Sequence, residues 1–277
     1  MAKLLSRLER RWRDARSRRL VPPGPLHVAH ARVSGHHLLV RDNEDVGRAI
    51  HFTHDFETAE TRYLDRVTQP GATCLDVGAN VGYFTMVMAG KATAGTVYAF
   101  EPLPLNAALI AASVEMNGFN NVRLVRTAVG ADTGEVVFNQ AADSAYSSIH
   151  DTGRKPLARQ LTVPIVSLDN FLTAEAIGPV DVMKCDVEGA EGLVLDGAAA
   201  LLAAPERQPA AIMIELYQPN LNLFGVTVAA LMGQLAAAGY SAHTLAENGT
   251  LIAHDSRSPT ARYNFVFLAA RGRAMFR

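Results

Sequence analysis

Three carboxylates stand close together in Asp186-Val-Glu188-Gly-Ala-Glu191, directly after the short apolar run Val180–Cys185. Side chains of this type, where a strand gives way to a helix, can contact the positive groups of a ligand, take a proton from a hydroxyl or hold a metal ion. Helix capping and complementarity to the helix dipole explain Glu188 and Glu191 as well, and Asp186 less well. Glu215 closes a second apolar run, Ile212-Met-Ile-Glu215, and is a candidate for the same edge.

Two further groups lie upstream. The run Thr73–Val77 leads into Asp76-Val-Gly78-Ala-Asn80-Val-Gly82-Tyr-Phe, a glycine-rich turn whose missing side chains would let backbone approach a bound nucleotide. A dinucleotide fingerprint needs glycine where Asn80 stands, which disfavours NAD. Phe100-Glu101-Pro102 sets a carboxylate 25 positions after Asp76, near the spacing at which an acidic side chain accepts hydrogen bonds from ribose hydroxyls. The plain alternatives are a dipole-favoured charge at a helix start for Glu101 and a turn-holding role for Asp76. His150, in the polar stretch Ser144–Asp151 between strand candidates, is a base candidate on a substrate lid, or simply surface.

These residues need a scaffold that brings strand ends together. Thr73–Val77, Thr96–Phe100, Val122–Arg126, Val180–Cys185 and Ala210–Glu215 are short apolar runs of the kind found in a parallel sheet covered on both faces. Helical stretches separate them at Val81–Gly90, Pro104–Asn117, Leu168–Ala176, Ala190–Ala203 and Val226–Ala238. This alternation predicts a doubly wound, mostly parallel α/β sheet, with ligands outside the carboxyl ends of its strands. Tyr240–Leu245 and Arg262–Ala269 follow with only a loop between them, predicting a closing C-terminal antiparallel hairpin. Upstream, Glu57–Thr68 reads as a helix and Leu26–Phe52 as small strands. Residues Lys3–Leu20 read as an Arg-rich amphipathic helix stopped by Pro22-Pro23-Gly24-Pro25. The organisation expected is therefore 1–25 as a basic helix and linker, 26–70 as a prelude packing on the core, and 71–277 as the main domain.

The ordered set Asp76-Val-Gly-Ala-Asn-Val-Gly-Tyr-Phe-Thr, Phe100-Glu-Pro with Asn106 and Asn117, Val166-Ser-Leu-Asp-Asn and Lys184-Cys-Asp-Val-Glu-Gly-Ala-Glu191 resembles the FkbM family of methyltransferases, from about Phe56 to Leu268. The resemblance implies a Rossmann-like class I methyltransferase fold and S-adenosylmethionine as methyl donor. It also implies O-methylation of a hydroxyl on a sugar, polyketide or related natural-product intermediate. Carried onto this chain, the family's cofactor positions match Asp76, Gly78, Asn80, Gly82, Glu101 and Asp186. Pro102 and Asn106 accompany Glu101, and Ala128 lies in the loop after the third strand, where adenine would rest beside Thr127 and Val129. The hydroxyl's proton would go to Asp186, Glu215, Glu188 or His150.

The 277 residues are 49% hydrophobic and 19% charged, which excludes a chain disordered throughout. A net charge of −1 divides into +6 over the first twenty residues and −7 over the rest. A uniformly basic, nucleic-acid-binding surface is thereby disfavoured, and with it methylation of a macromolecule. The basic stripe over residues 3–20 suits contact with an anionic membrane or an acidic partner, and equally a packing or solvated helix. Six of nine histidines fall between His27 and His54, but the pairs His27/His30 and His51/His54 lack the ligands to complete a metal set. No metal is assigned, and metal dependence stays open. Two cysteines, Cys74 and Cys185, and no long apolar run predict a soluble, cytoplasmic protein. Oligomeric state is left open, a homodimer included. Other readings are a methyltransferase acting on a macromolecule or lipid-linked glycan, a nucleotide-dependent oxidoreductase, and a non-enzymatic binding protein tethered through the basic helix.

Overall fold

The computed structural model describes residues 28–255 and 263–276. The basic helix expected over Lys3–Leu20, its proline linker and His27 lie outside the described residues. The chain opens with a hairpin, β1 (Val28–Val33) and β2 (His36–Arg41), followed by α1 (Asp45–Thr53) and α2 (Thr58–Val67). The reading of 26–52 as strands therefore holds only to Arg41. From Asp45 the chain is helical because Val46 and Ile50 recur at helical spacing toward the protein. Gly47 lets that helix lie on the end of β2, since a Cβ there would stand 2.1 Å from the Arg41 carbonyl oxygen.

The core sheet alternates with helices as β3 (Thr73–Val77), α3 (Tyr83–Lys91), β4 (Thr96–Phe100), α4 (Pro104–Met116) and β5 (Val122–Val125). After an inserted cover come α5 (Leu168–Ala174), β9 (Val182–Cys185), α6 (Glu191–Asp196), α7 (Ala199–Leu202) and β10 (Ala211–Glu215). The inserted cover is a small sheet of β6 (Ala128–Val129), β7 (Gly134–Ala141) and β8 (Leu157–Val166). The chain closes with α8 (Gln218–Leu221), α9 (Val228–Ala237), β11 (Ser241–Leu245), β12 (Leu251–Ala253), β13 (Asn264–Leu268) and α10 (Ala270–Met275). Strand order in the main sheet is β12-β11-β13-β10-β9-β3-β4-β5, with β3, β4, β5, β9 and β10 parallel. This is the doubly wound, Rossmann-like class I arrangement. Strands β3 and β9 are buried along nearly their whole length, as parallel strands with both faces covered must be.

Two expectations change in detail. The helix expected over Ala190–Ala203 is two short helices, broken at Gly197, where a Cβ would stand 2.0 Å from the Gly130 carbonyl oxygen. Asp169 then caps the second piece, accepting from Ala200 N and Leu201 N at 2.8 Å each. At the end of the chain β11 and β13 do pair antiparallel, but β12 intervenes in sequence, and β13 inserts between β10 and β11. Among the described residues no single helix is long and apolar enough to cross a membrane.

The prelude and the cover are clamped together. Glu44 is buried and accepts from Ser144 N at 2.9 Å and Ser144 Oγ at 2.7 Å. Asp45 N donates to Asp143 Oδ2 at 2.7 Å, and Lys155 Nζ lies 2.6 Å from Asp45 Oδ2. Strand order reverses between β3 and β9, so the crevice for a ligand opens where the turns after these strands meet. Gly78, in the turn after β3, has φ of +78°, and a Cβ on it would stand 1.9 Å from the Asp186 carbonyl oxygen. Left-handed backbone costs an L-residue about 1–2 kcal/mol, and the overlap adds about 1–3 kcal/mol. Gly78→Ala is expected to lower Tm by roughly 5–15 °C in a thermal melt.

Candidate active site

A cavity of about 290 Å³ lies at the carboxyl ends of β3, β4, β9 and β10, between these strand ends and the cover. After β3 and β4 it is lined by Gly78, Asn80 and Glu101, with Thr127, Ala128 and Val129 beyond them after β5; after β9 and β10, and directly beside Gly78, it is lined by Asp186, Glu188 and Glu215. Tyr146 and Arg154 come from the loop joining β7 to β8, and Val46, Phe56 and Glu57 from the prelude.

The glycine turn is shaped by packing against the protein itself. The missing side chain of Gly78 makes room for the Asp186 carbonyl, and that of Gly82 for Ile110, 2.9 Å from a would-be Cβ. Asn80 adopts a left-handed φ of +52° without being glycine, a sparsely populated conformation that clusters at functional sites. Its N–H donates to Glu101 Oε2 at 2.9 Å, while Leu103 N donates to Oε1 at 2.9 Å and Asn106 Nδ2 to Oε1 at 3.4 Å. Burial pushes Glu101 up to about 8 despite these donors.

Beneath the turn sits Lys184, buried on β9. Its ammonium donates to the Gly78 carbonyl oxygen at 3.0 Å and lies 3.5 Å from Asp186 Oδ2 and 3.9 Å from Asp76 Oδ1. Burial acts to lower the Lys184 pKa, and the carboxylates of Asp186, Asp76 and Glu57 overcome it, for a net upward shift. Asp76 is fully buried and takes a 2.5 Å hydrogen bond from Thr85 Oγ1 on Oδ2, leaving Lys184 as the partner of Oδ1. It therefore holds the floor of the site from behind the cavity wall.

Asp186, Glu188 and Glu215 present oxygens within 4.8 Å of one another. That spacing would admit a cation, and among the described residues Lys184 and Arg154 are the positive groups lining the cavity there. Arg154 Nη1 lies 2.7 Å from Glu188 Oε2 and stacks on the Tyr146 and Tyr217 rings at 4.3 and 5.2 Å. Asn220 Nδ2 donates to the same Glu188 oxygen at 2.5 Å. Ser148 Oγ donates to the Val187 carbonyl at 2.9 Å, tying the cover to the Asp186–Glu188 turn. Burial, reinforced by the Asp186 charge, raises Glu188 to about 8 and Glu215 to about 10, and burial raises Glu57 to about 7.

Of the residues singled out from sequence, Gly78, Asn80, Glu101, Pro102, Ala128, Asp186, Glu188 and Glu215 line this one cavity. Asp76, Gly82 and Asn106 support it from behind. Glu191 does not line it: its Oε1 accepts from Val187 N at 3.0 Å and Gly189 N at 3.3 Å, holding the turn. His150 is exposed, packs edge-on against Phe224 at 4.5 Å and is not among the residues lining the cavity, although Ile149 beside it is. Both cysteines are buried and free, and burial pushes both thiols up. Sequence reasoning gave no role to Lys184, Arg154 or Glu57. A lone lysine inside the apolar run Val182–Cys185 was the available signal for the first; Arg154 and Glu57 have no periodic signal at all.

The family described as Methyltransferase FkbM domain matches residues 76–242. A Beauveria bassiana protein named Methyltransferase 1 is 26% identical over 141 residues, covering 44% of this chain and 57% of that protein. The chain thus spans little more than half the length of that relative. Among solved structures, an O-methyltransferase from Bacillus cereus in complex with SAH has a TM-score of 0.42 at 14% identity, over 77% of this chain and 81% of that one. An rRNA methylase from Streptococcus thermophilus has a TM-score of 0.39 at 16% identity, over 79% and 94%. The domain match takes in the glycine turn, Glu101 and the Asp186–Glu191 turn together, and the chain belongs to the FkbM methyltransferase family.

Proposed function

We propose that this protein is an S-adenosylmethionine-dependent O-methyltransferase acting on a hydroxyl of a small molecule such as a sugar, polyketide or other natural-product intermediate. The observation that carries the reading is that one cavity is lined by the glycine turn and Glu101 together with Asp186, Glu188 and Glu215. The residues fit the donor. Glu101 is fixed by two backbone N–H groups on the cavity wall and has acceptor capacity left for ribose hydroxyls. The carboxylates around Asp186 suit the donor's positive groups, and Thr127, Ala128 and Val129 offer a surface for adenine. When bound, S-adenosylmethionine supplies an electrophilic methyl group on a sulfonium. The chain's own work is to hold the acceptor oxygen in line with it and to receive the hydroxyl's proton. The cover, clamped to α1, lines the cavity with Tyr146 and Arg154 beside the carboxylates and favours a small acceptor over a macromolecule. In this reading 71–277 is the catalytic domain and 26–70 completes its cavity.

Glu101→Ala is expected to weaken S-adenosylhomocysteine binding by roughly 10- to 100-fold, the worth of two hydrogen bonds to the ribose. Calorimetry that finds unchanged affinity would refute the ribose assignment. Asp186→Ala should abolish methyl transfer, measured with labelled donor; near wild-type turnover would remove Asp186 from the reaction. The raised carboxyls make a third test. Glu57, Glu101, Glu188, Glu191 and Glu215, pushed to between about 7 and about 10 from an ordinary 4.5, bind protons more tightly folded than unfolded. Their contribution to stability is complete below the unfolded value and is lost as pH rises through the folded ones. The Tm of the ligand-free protein should therefore fall between pH 5 and pH 8, as scanning calorimetry across that range would detect.

A further inference from the structure

We propose that Glu57, which lies outside the family-matched residues 76–242, is a catalytic residue that takes the proton from the acceptor hydroxyl. The assignment rests on the methyl-transfer reading above. Glu57 reaches the cavity from the connection between α1 and α2, where both His54 (φ +56°) and Glu57 (φ +44°) are left-handed without being glycine. Strain of this kind persists where the surroundings over-determine it. Here Phe56 N donates to Tyr83 Oη at 3.2 Å, and the Phe56 ring packs edge-on to Tyr83 at 5.6 Å. Asn264 Nδ2, from β13, donates to Glu57 Oε1 at 3.4 Å. Among the described residues no group donates to the other oxygen.

The competing carboxylates are engaged or neutral. Asp186 faces Lys184, Glu188 is held by Arg154 and Asn220, and Glu191 holds its own turn. Glu215, pushed up to about 10, keeps its proton at neutral pH. Glu57 faces Asp186, Glu60, Lys184 and Glu215; burial, helped by the Asp186 and Glu60 charges and opposed by Lys184, pushes it to about 7, where a carboxylate is both available and basic enough to be useful. In the transfer, the hydroxyl oxygen bonds the methyl carbon as the carbon–sulfur bond breaks with its electron pair left on sulfur. The hydroxyl proton passes to the Glu57 carboxylate and leaves to solvent afterwards.

The test uses the full chain, Glu57→Gln, and Glu60→Gln as a neighbour that shares Asn264. Three measurements apply: calorimetry with S-adenosylhomocysteine, carbon-13 NMR titration of glutamate carboxyls with that ligand bound, and transfer of label from methyl-labelled S-adenosylmethionine to a small-molecule extract of the source cells. The expected results are unchanged S-adenosylhomocysteine affinity in Glu57→Gln and a carboxyl resonance, missing from that variant, that titrates near neutrality. Label transfer should fall at least about 100-fold in Glu57→Gln and stay near wild type in Glu60→Gln. A Glu57 resonance titrating at the ordinary carboxylate value, or transfer retained in Glu57→Gln, overturns the proposal. If the extract offers no acceptor, a Glu57 resonance at the ordinary carboxylate value still overturns the proposal. Wild-type protein that fails to bind S-adenosylhomocysteine overturns the methyl-transfer reading itself, a result distinct from either of those.

Discussion

The ammonium of Lys184 is the one charge on which the rest of the site depends. It is buried on β9, and a buried charge without partners costs several kcal/mol, so its neighbours are constrained as tightly as it is. Those neighbours are Asp76 at the end of β3, the Gly78 carbonyl in the turn that follows, and Asp186 beyond β9. One side chain thus ties together the two strands between which the sheet reverses order. The turn's geometry follows: Gly78 must be glycine because the Asp186 carbonyl fills the space of its side chain, and Asn80 must turn left-handed to bring its N–H onto Glu101. Replacing the lysine alone would leave Asp76 buried without its counter-charge, a loss of the order of 3–5 kcal/mol for a buried pair.

Around that node the carboxylates are divided by environment rather than by type. Glu191 faces backbone N–H groups and acts as a strut, and Glu188 is held by an ion pair with Arg154 and a hydrogen bond from Asn220. Glu215 has mostly like charges for company. Arg154 reaches Glu188 only because the cover carries it across the sheet edge, and the cover is held there by Glu44 and Asp45 at the start of α1. The prelude is therefore joined to the chemistry through two clamps and through Glu57.

What could be read from sequence was what strands and turns impose locally. Thr73–Val77 and Thr96–Phe100 are legible as buried parallel strands because apolar runs of that length leave little choice, and the carboxylates at their ends then fall on one edge. Glu101 and Asp186 were legible for the same reason. Arg154 was not, because it sits on a loop whose position depends on long-range ion pairs with Asp45 and Glu188. Helix α1 is hidden in the sequence because the alternating His-Val-Ala-His pattern before it masks the change of period at Asp45, and nothing local to His150 signals that its ring packs on Phe224.

The insertion of β13 between β10 and β11 bears on how the molecule is made. Strands β10 and β11 both precede it in the chain, so each presents an unpaired hydrogen-bonding edge on that side until residues 264–268 arrive. On the ribosome, the apolar runs Ala211–Glu215 and Asn264–Leu268 meet only after the residues between them are made, and the gap must be kept from other strands meanwhile. The antiparallel β11–β12 hairpin occupies the outer edge of β11 during that interval, which leaves its inner edge for β13.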